Sequence, residues 1–216
     1  LDQLGVARVP LVVCTHLHAD HVSGLPTLAG RGVRVVVTSG IRTPASGEAL
    51  VDALVASGAD HVTAVAGSSW SIGSARLEVL AAEPLVAGAE AAEGESSAEN
   101  DASLLLRVTA DGLTVLLAGD TENTGQEPLL RLGSLLDVDV VLVPHHGSSR
   151  QAPAFLASTT PQVALMSVGA QNDYGHPTKK TLALVGQLTP NLVRPDQHGA
   201  IAVASVGGHL VVTTQK

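Results

Sequence analysis

At 216 residues the chain is long enough for one domain, or one large layered domain, with a sizeable core and no disulfide staples. Hydrophobic residues make up 45% but aromatics only 1%, so the core must be Leu, Val and Ala, and the single cysteine, Cys14, excludes an intramolecular disulfide. A net charge of −8 lacks the basic surplus usual in nucleic-acid binders, and no apolar run approaches the ~20 residues that span a bilayer.

The chain opens on Leu1 rather than Met and shows no signal peptide, so we read it as an excised piece of a longer protein. In chain order, an apolar strand over 10–14 leads into "THLHADH" (15–21) and a helix over 22–30. A β-branched strand (33–37), a helix (46–57) and strands at 61–65 and 76–80 follow. Residues 86–101, which include "AEAAEGESSAEND", are small, acidic and patternless and read as a mobile loop. Strands at 103–109 and 113–119 form a hairpin about Ala110-Asp111-Gly112. A helix over 124–136, a strand over 138–143, a helix over 152–158 and a strand over 162–168 come next. A further helix over 178–187 opens at Thr178, with Leu182, Leu184, Val185 and Leu188 on helical spacing. Strands at 191–194, 200–205 and 209–214 close the chain. There is no internal repeat and no clear linker, so residues 1–216 read as a single α/β layered domain, mixed sheet with helices outside.

The chemistry concentrates where apolar strands end. His16, His18, Asp20 and His21 follow directly on the first strand. In such a loop His16 and His18 can point to one metal ion while Asp20 and His21 point to another, and imidazole with carboxylate suits Zn, Mn or Fe. "LLAGDTEN" (116–123) ends a second strand on Asp120, whose carboxylate can bridge two cations, although Gly-Asp after a strand is also a common turn. "VLVPHHGSSR" (141–150) ends a third strand on His145 and His146, and "SVGAQNDYGHP" (167–177) ends a fourth before His176. His61 and His209 read as ordinary strand residues, and His198 lies in a turn. The basic residues Arg150, Lys179, Lys180 and Arg194 lie close in sequence to the later motifs, so the local charge there is more positive than the total.

"THLHADHVSGL", "NDASLLL", "LLAGDTE", "VPHHGSS", "SVGAQNDYGHP" and "DQHGAIAV" occur in this order and at this spacing. The set resembles the metallo-β-lactamase superfamily and, more narrowly, the soluble C-terminal domain of the ComEC family of competence DNA-uptake channels. The resemblance covers nearly the whole chain. It implies an αββα sandwich belonging to a bacterial inner-membrane protein, facing outward. It also implies two divalent metal ions and a nuclease that degrades the DNA strand not transported. The partners implied are DNA, single-stranded for preference, and the rest of the channel in cis; no stable oligomer is expected.

Two departures from that pattern bear on the chemistry. The usual third histidine of the first metal site is missing, and Asn100-Asp101-Ala102-Ser103 occupies its region. Oxygen in place of imidazole makes the site harder and favours Mn2+ or Mg2+ over Zn2+. Family members also begin with strands that would precede "LDQLGV", so an N-terminal hairpin is expected to be absent and a sheet edge exposed.

The resemblance places Asp120 between the two metals with His16, His18, Asp20 and His21. His145 is expected as a further ligand, and Asp20, His146 and His176 in catalytic roles. The residues alone leave open which of His145, His146 and His176 is ligand and which is acid. Asn100, Asp101, Ser103, Ser148, Lys179 and Lys180 are the expected substrate contacts, the lysines because a helix N-terminus and two ammonium groups attract phosphate. Two other functions fit the same residues: hydrolysis of another ester or small phosphodiester, and a non-catalytic module that guides DNA into a channel.

Overall fold

The computed structural model describes residues 1–82 and 98–216. Two sheets pack face to face, each covered on its outer side by helices. The first sheet has strand order β1-β2-β3, from β1 (Leu11–Cys14), β2 (Val35–Thr38) and β3 (Asp60–Thr63), all parallel. The second comprises β4 (Ser69–Ile72), β5 (Ala75–Ala81), β6 (Leu105–Ala110), β7 (Leu113–Leu117), β8 (Val140–Leu142), β9 (Val163–Leu165) and β10 (Leu192–Val193), in the order β10-β9-β8-β7-β6-β5-β4. It is antiparallel from β4 to β7 and parallel from β7 to β10. A separate antiparallel hairpin, β11 (Ile201–Val206) and β12 (His209–Thr214), follows.

Strand alternation builds the layers. Leu11 and Val13 of β1 face the second sheet, packing with Val37, Leu104, Leu106 and Leu117. Val12 and Cys14 face the other way, onto α1 (Ala19–Val22), a 3-10 turn (Leu25–Leu28) and α2 (Ala45–Ala56). On the far side of the second sheet, Leu116, Val141, Ala164 and Met166 pack against Leu129 of α4 (Asn123–Leu129), Phe155 and Leu156 of α5 (Pro153–Ser158) and Val185 of α6 (Lys179–Leu188). The expected αββα sandwich is therefore present. Phe155, the chain's single Phe, is fully buried at its centre.

Several elements differ from the sequence reading. The helix expected over 22–30 is α1 plus a separate 3-10 turn. The helix expected over 124–136 is α4 followed by a 3-10 segment, Leu130–Leu136, with Pro128 inside α4 and Gly133 at a non-helical φ/ψ. β4 was not expected: "SWSI" is short and half polar, yet it pairs antiparallel with β5 across Gly73-Ser74. α7 (Pro195–His198) replaces an expected turn. Of the acidic stretch read as mobile, Ala98–Asp101 forms helix α3 with Asn100 buried; residues 86–97 lie outside the described residues. β1 is a terminal strand of its sheet, and an apolar cleft of about 310 Å³ lies between Leu11 and Val13 of β1 and Trp70, Ile72 and Val108 of the second sheet. No helix among the described residues is long and apolar enough to cross a membrane.

Candidate metal centre

The motif loops all leave the carboxyl ends of strands. β1 runs into Thr15-His16, β7 into Gly119-Asp120, β8 into His145-His146 and β9 into Ser167 and the segment that ends at His176. Parallel pairing puts the ends of β7, β8 and β9 side by side, and the sandwich brings the end of β1 over them. Backbone bonds lace the loops together. Leu104 N–H donates to Thr15 O (3.1 Å), His145 N–H to Gly119 O (3.1 Å) and Thr178 N–H to Gly147 O (3.0 Å).

Asp120 is the hub. It is 3% exposed, and imidazoles surround its carboxylate. His21 Nε2 lies 3.1 Å from Oδ1, while His146, His145 and His16 Nε2 lie 3.6, 3.8 and 3.9 Å from Oδ2. Asp20 Oδ2 adds a second carboxylate, 3.2 Å from His146 Nε2 and 3.8 Å from His21 Nε2. Ligand atoms of Asp20, His21, Asp120 and His146 all fall within 4.8 Å of one another. His18 stacks edge-on to His16 at 4.7 Å between ring centroids, and His176 approaches His145 at 5.3 Å.

Two of these rings have their other nitrogen hydrogen-bonded, and a third has it beside a carboxylate at ion-pair distance. His146 Nδ1–H donates to Ser167 O at 2.8 Å. His145 Nδ1 lies 2.9 Å from Glu122 Oε1. His16 Nδ1 meets Ser103 Oγ at 3.2 Å and Thr15 Oγ1 at 3.3 Å. Fixing Nδ1 aims Nε2, and all three Nε2 atoms converge on Asp120, the arrangement by which second partners orient metal-binding histidines. Buried Nε2 atoms of His16 and His21 make no hydrogen bond. Bare imidazole nitrogens facing carboxylate oxygens repel unless a proton or a cation lies between them, so the donor set fits divalent cations.

The electrostatics agree. Burial first, then the neighbouring His21, pushes His16 down to about 3, so its ring is neutral. Burial alone would raise Asp120, but His21, His146 and His16 bring its carboxyl below the ordinary value. The Asp20 contact raises His146 against the opposing effect of its burial. Burial lowers His145, and Glu122 and Asp120 more than reverse that. His145 and His146 also sit at positive φ, +46° and +50°. Left-handed backbone costs a non-glycine residue ~1–2 kcal/mol, strain that a functional turn holds in place.

A cavity of about 450 Å³ opens onto this cluster, lined by His18, Asp20, Asn100, Asp120, His145, His146 and His176. Val168, Gly169, Asn172 and Tyr174 also line it and were not singled out from the sequence; they belong to the segment after β9 but carry no ligand-type signature. Asn100, at the end of α3, faces this cavity where the third imidazole was missing. The other expected substrate contacts lie elsewhere. Ser103 is buried behind the site, receiving Asp120 N–H at 3.2 Å while touching His16. Asp101 Oδ1 accepts Glu122 N–H at 2.8 Å and so caps α4. Ser148 is buried, its carbonyl accepting Thr181 Oγ1–H at 2.5 Å. Lys179 and Lys180 are exposed outside the cavity, with Lys180 Nζ donating to Ser149 O at 3.0 Å. His61 bonds Thr38 Oγ1, and His198 bonds the Arg194 backbone, so both are structural.

Residues 2–187 match the family model described as the beta-lactamase superfamily domain. The chain belongs to this family. It is 26% identical over 204 residues to ComE operon protein 3 of Bacillus subtilis (strain 168), covering 93% of this chain and 25% of that protein. It is 28% identical over 203 residues to Competence protein ComA of Neisseria gonorrhoeae, covering 93% of this chain and 26% of that one. The chain thus spans about a quarter of the length of these two relatives. Among solved structures, Zn(2+)-bound PqqB from Methylobacterium extorquens superposes with a TM-score of 0.54 at 16% identity, over 85% of this chain and 70% of that one. This likeness shows a shared fold.

Proposed function

We propose that this beta-lactamase superfamily domain is a metal-dependent hydrolase that cleaves DNA phosphodiester bonds within a competence protein. The observation that carries the reading is the convergence of His16, His21, His145 and His146 Nε2 on the buried Asp120 carboxylate, beside Asp20. His16, His18, His145 and Asp120 would hold one divalent cation, and Asp20, His21, His146 and Asp120 a second. Cations held there would polarise the scissile phosphate and lower the pKa of the attacking water. Asp20, half exposed at the cavity, would accept a hydrogen bond from that water and orient it. His176, on the cavity wall, is the candidate to protonate the departing oxygen. Asn100 in place of an imidazole supports a preference for Mn2+ over Zn2+.

The competence names of the two relatives support DNA as substrate, with the remainder of a membrane channel as the partner in cis. Purified chain is incubated with plasmid and single-stranded DNA in Mn2+, Zn2+ or EDTA, and separately with small carboxylic and phosphate esters. Mn2+-dependent DNA cleavage, faster than with Zn2+, is expected. Cleavage of small esters alone points to another hydrolase, and DNA binding with no cleavage points to a guiding module.

A further inference from the structure

We propose that Glu122 is a positioning residue whose carboxylate holds the His145 ring so that Nε2 faces Asp120 and the cation-binding cavity. The inference rests on the metal-site reading above and deepens it. The Glu122 side chain is 2% exposed, and its Oε1 lies 2.9 Å from His145 Nδ1, an ion-pair contact in which neither atom has another hydrogen-bond partner. The opposite nitrogen of the same ring, Nε2, lies 3.8 Å from Asp120 Oδ2. One imidazole therefore spans two buried carboxylates, one from behind and one at the centre.

A helix-capping role does not account for this carboxylate. Glu122 occupies the N-cap position of α4, yet its side chain makes no capping hydrogen bond. Asp101 does that work instead, accepting Glu122 N–H at 2.8 Å. The backbone of Glu122 is anchored again where its carbonyl accepts Gln126 N–H at 2.7 Å, and Arg150 Nη1 stands 3.8 Å from Oε2. The residue is thus clamped at its backbone while its side chain is directed at His145.

Burying a carboxylate costs several kcal/mol unless a partner compensates. Hydroxyls suffice to hold His16 and a backbone carbonyl suffices for His146. Of these three rings, His145 is the one whose Nδ1 faces a carboxylate. A charged acceptor behind an imidazole both fixes its tautomer and makes the opposite nitrogen a stronger donor to a cation.

The test is Mn2+ affinity, read by electron paramagnetic resonance, for the parent chain, E122Q, H145A and the double variant. E122Q keeps the size of the side chain and removes its charge. It should bind Mn2+ about tenfold more weakly while its metal-free melting curve matches the parent's. Because Glu122 acts through His145, E122Q should weaken binding no further once His145 is alanine. Parent-like Mn2+ affinity in E122Q, or losses that multiply in the double variant, would overturn the inference alone. A parent chain that takes up no divalent cation would overturn the metal-site reading with it. Should E122Q melt well below the parent, histidine 15N shifts of the Zn2+-loaded parent decide. A protonated Nδ1 with a ligated Nε2 at His145 upholds the role, and a ligated or bare Nδ1 overturns it.

Discussion

Replacing Gly119 by alanine should damage the site from behind. Gly119 adopts φ +52°, a left-handed backbone that costs an L-residue ~1–2 kcal/mol. A Cβ there would lie 2.7 Å from Ser103 Oγ, 2.7 Å from Thr15 Oγ1 and 2.8 Å from Ser103 Cβ. Relieving such overpacking adds ~1–3 kcal/mol, for a total of roughly 2–5 kcal/mol. With a urea slope of ~2 kcal/mol/M, the unfolding midpoint falls by roughly 1–2.5 M. Ser103 cannot retreat without cost, because it also receives Asp120 N–H and touches His16 Nδ1. Mn2+ affinity should therefore fall together with stability. Gly112→Ala is the control: its φ is +82°, but a Cβ there meets nothing within 4 Å, so only the backbone cost applies. Urea unfolding of the metal-free proteins, followed by circular dichroism, gives both values. A Gly119→Ala midpoint equal to or above that of Gly112→Ala would refute the argument.

Asp20→Ala should abolish metal-dependent DNA cleavage and leave metal-free melting nearly unchanged, since the side chain is 56% exposed; cleavage near the parent rate would remove Asp20 from the chemistry. His16 is held down at about 3 against an ordinary 6.5. Below pH 6.5 the unfolded chain takes up a proton that the fold refuses, so this group's stabilisation is present above 6.5 and drains as pH falls toward about 3. Between pH 7 and 5.5 that amounts to about 1 kcal/mol. His145 and His146, shifted upward, act in the opposite sense, so the comparison is with His16→Gln, whose metal-free stability should fall less over that range; identical pH slopes would count against a buried neutral ring. Burial pushes the Cys14 thiol up to about 11, so Ellman's reagent should label it only after unfolding, and rapid labelling of the native chain would contradict that.

The ligand-bearing loops were legible because His, His and Asp rarely crowd at the end of an apolar strand, and Asp120, His145 and His146 each followed one. The Asp111-Gly112 hairpin was legible too, as φ of +49° and +82° is what such a turn requires. Proximity to a motif, however, does not report direction. Ser103, Ser148 and Asp101 lie beside ligands in sequence but turn inward, and they hold His16, α6 and α4 rather than facing the cavity. His145 and His146 are adjacent, and two successive left-handed residues send their rings to different partners, Glu122 and Asp20. No periodicity encodes that split. β4 escaped notice because its pairing with β5, rather than its own composition, makes it a strand.

The most direct test is Mn2+ titration of the parent chain and of Asp120→Asn, since the Nε2 atoms of His16, His21, His145 and His146 all face that carboxylate. Asp120→Asn keeps the side chain's shape and removes the charge. The parent should bind Mn2+, and the variant should lose at least about tenfold in affinity, a typical scale for disturbed metal sites. Equal binding by both proteins, or none by the parent, would contradict the metal-site reading.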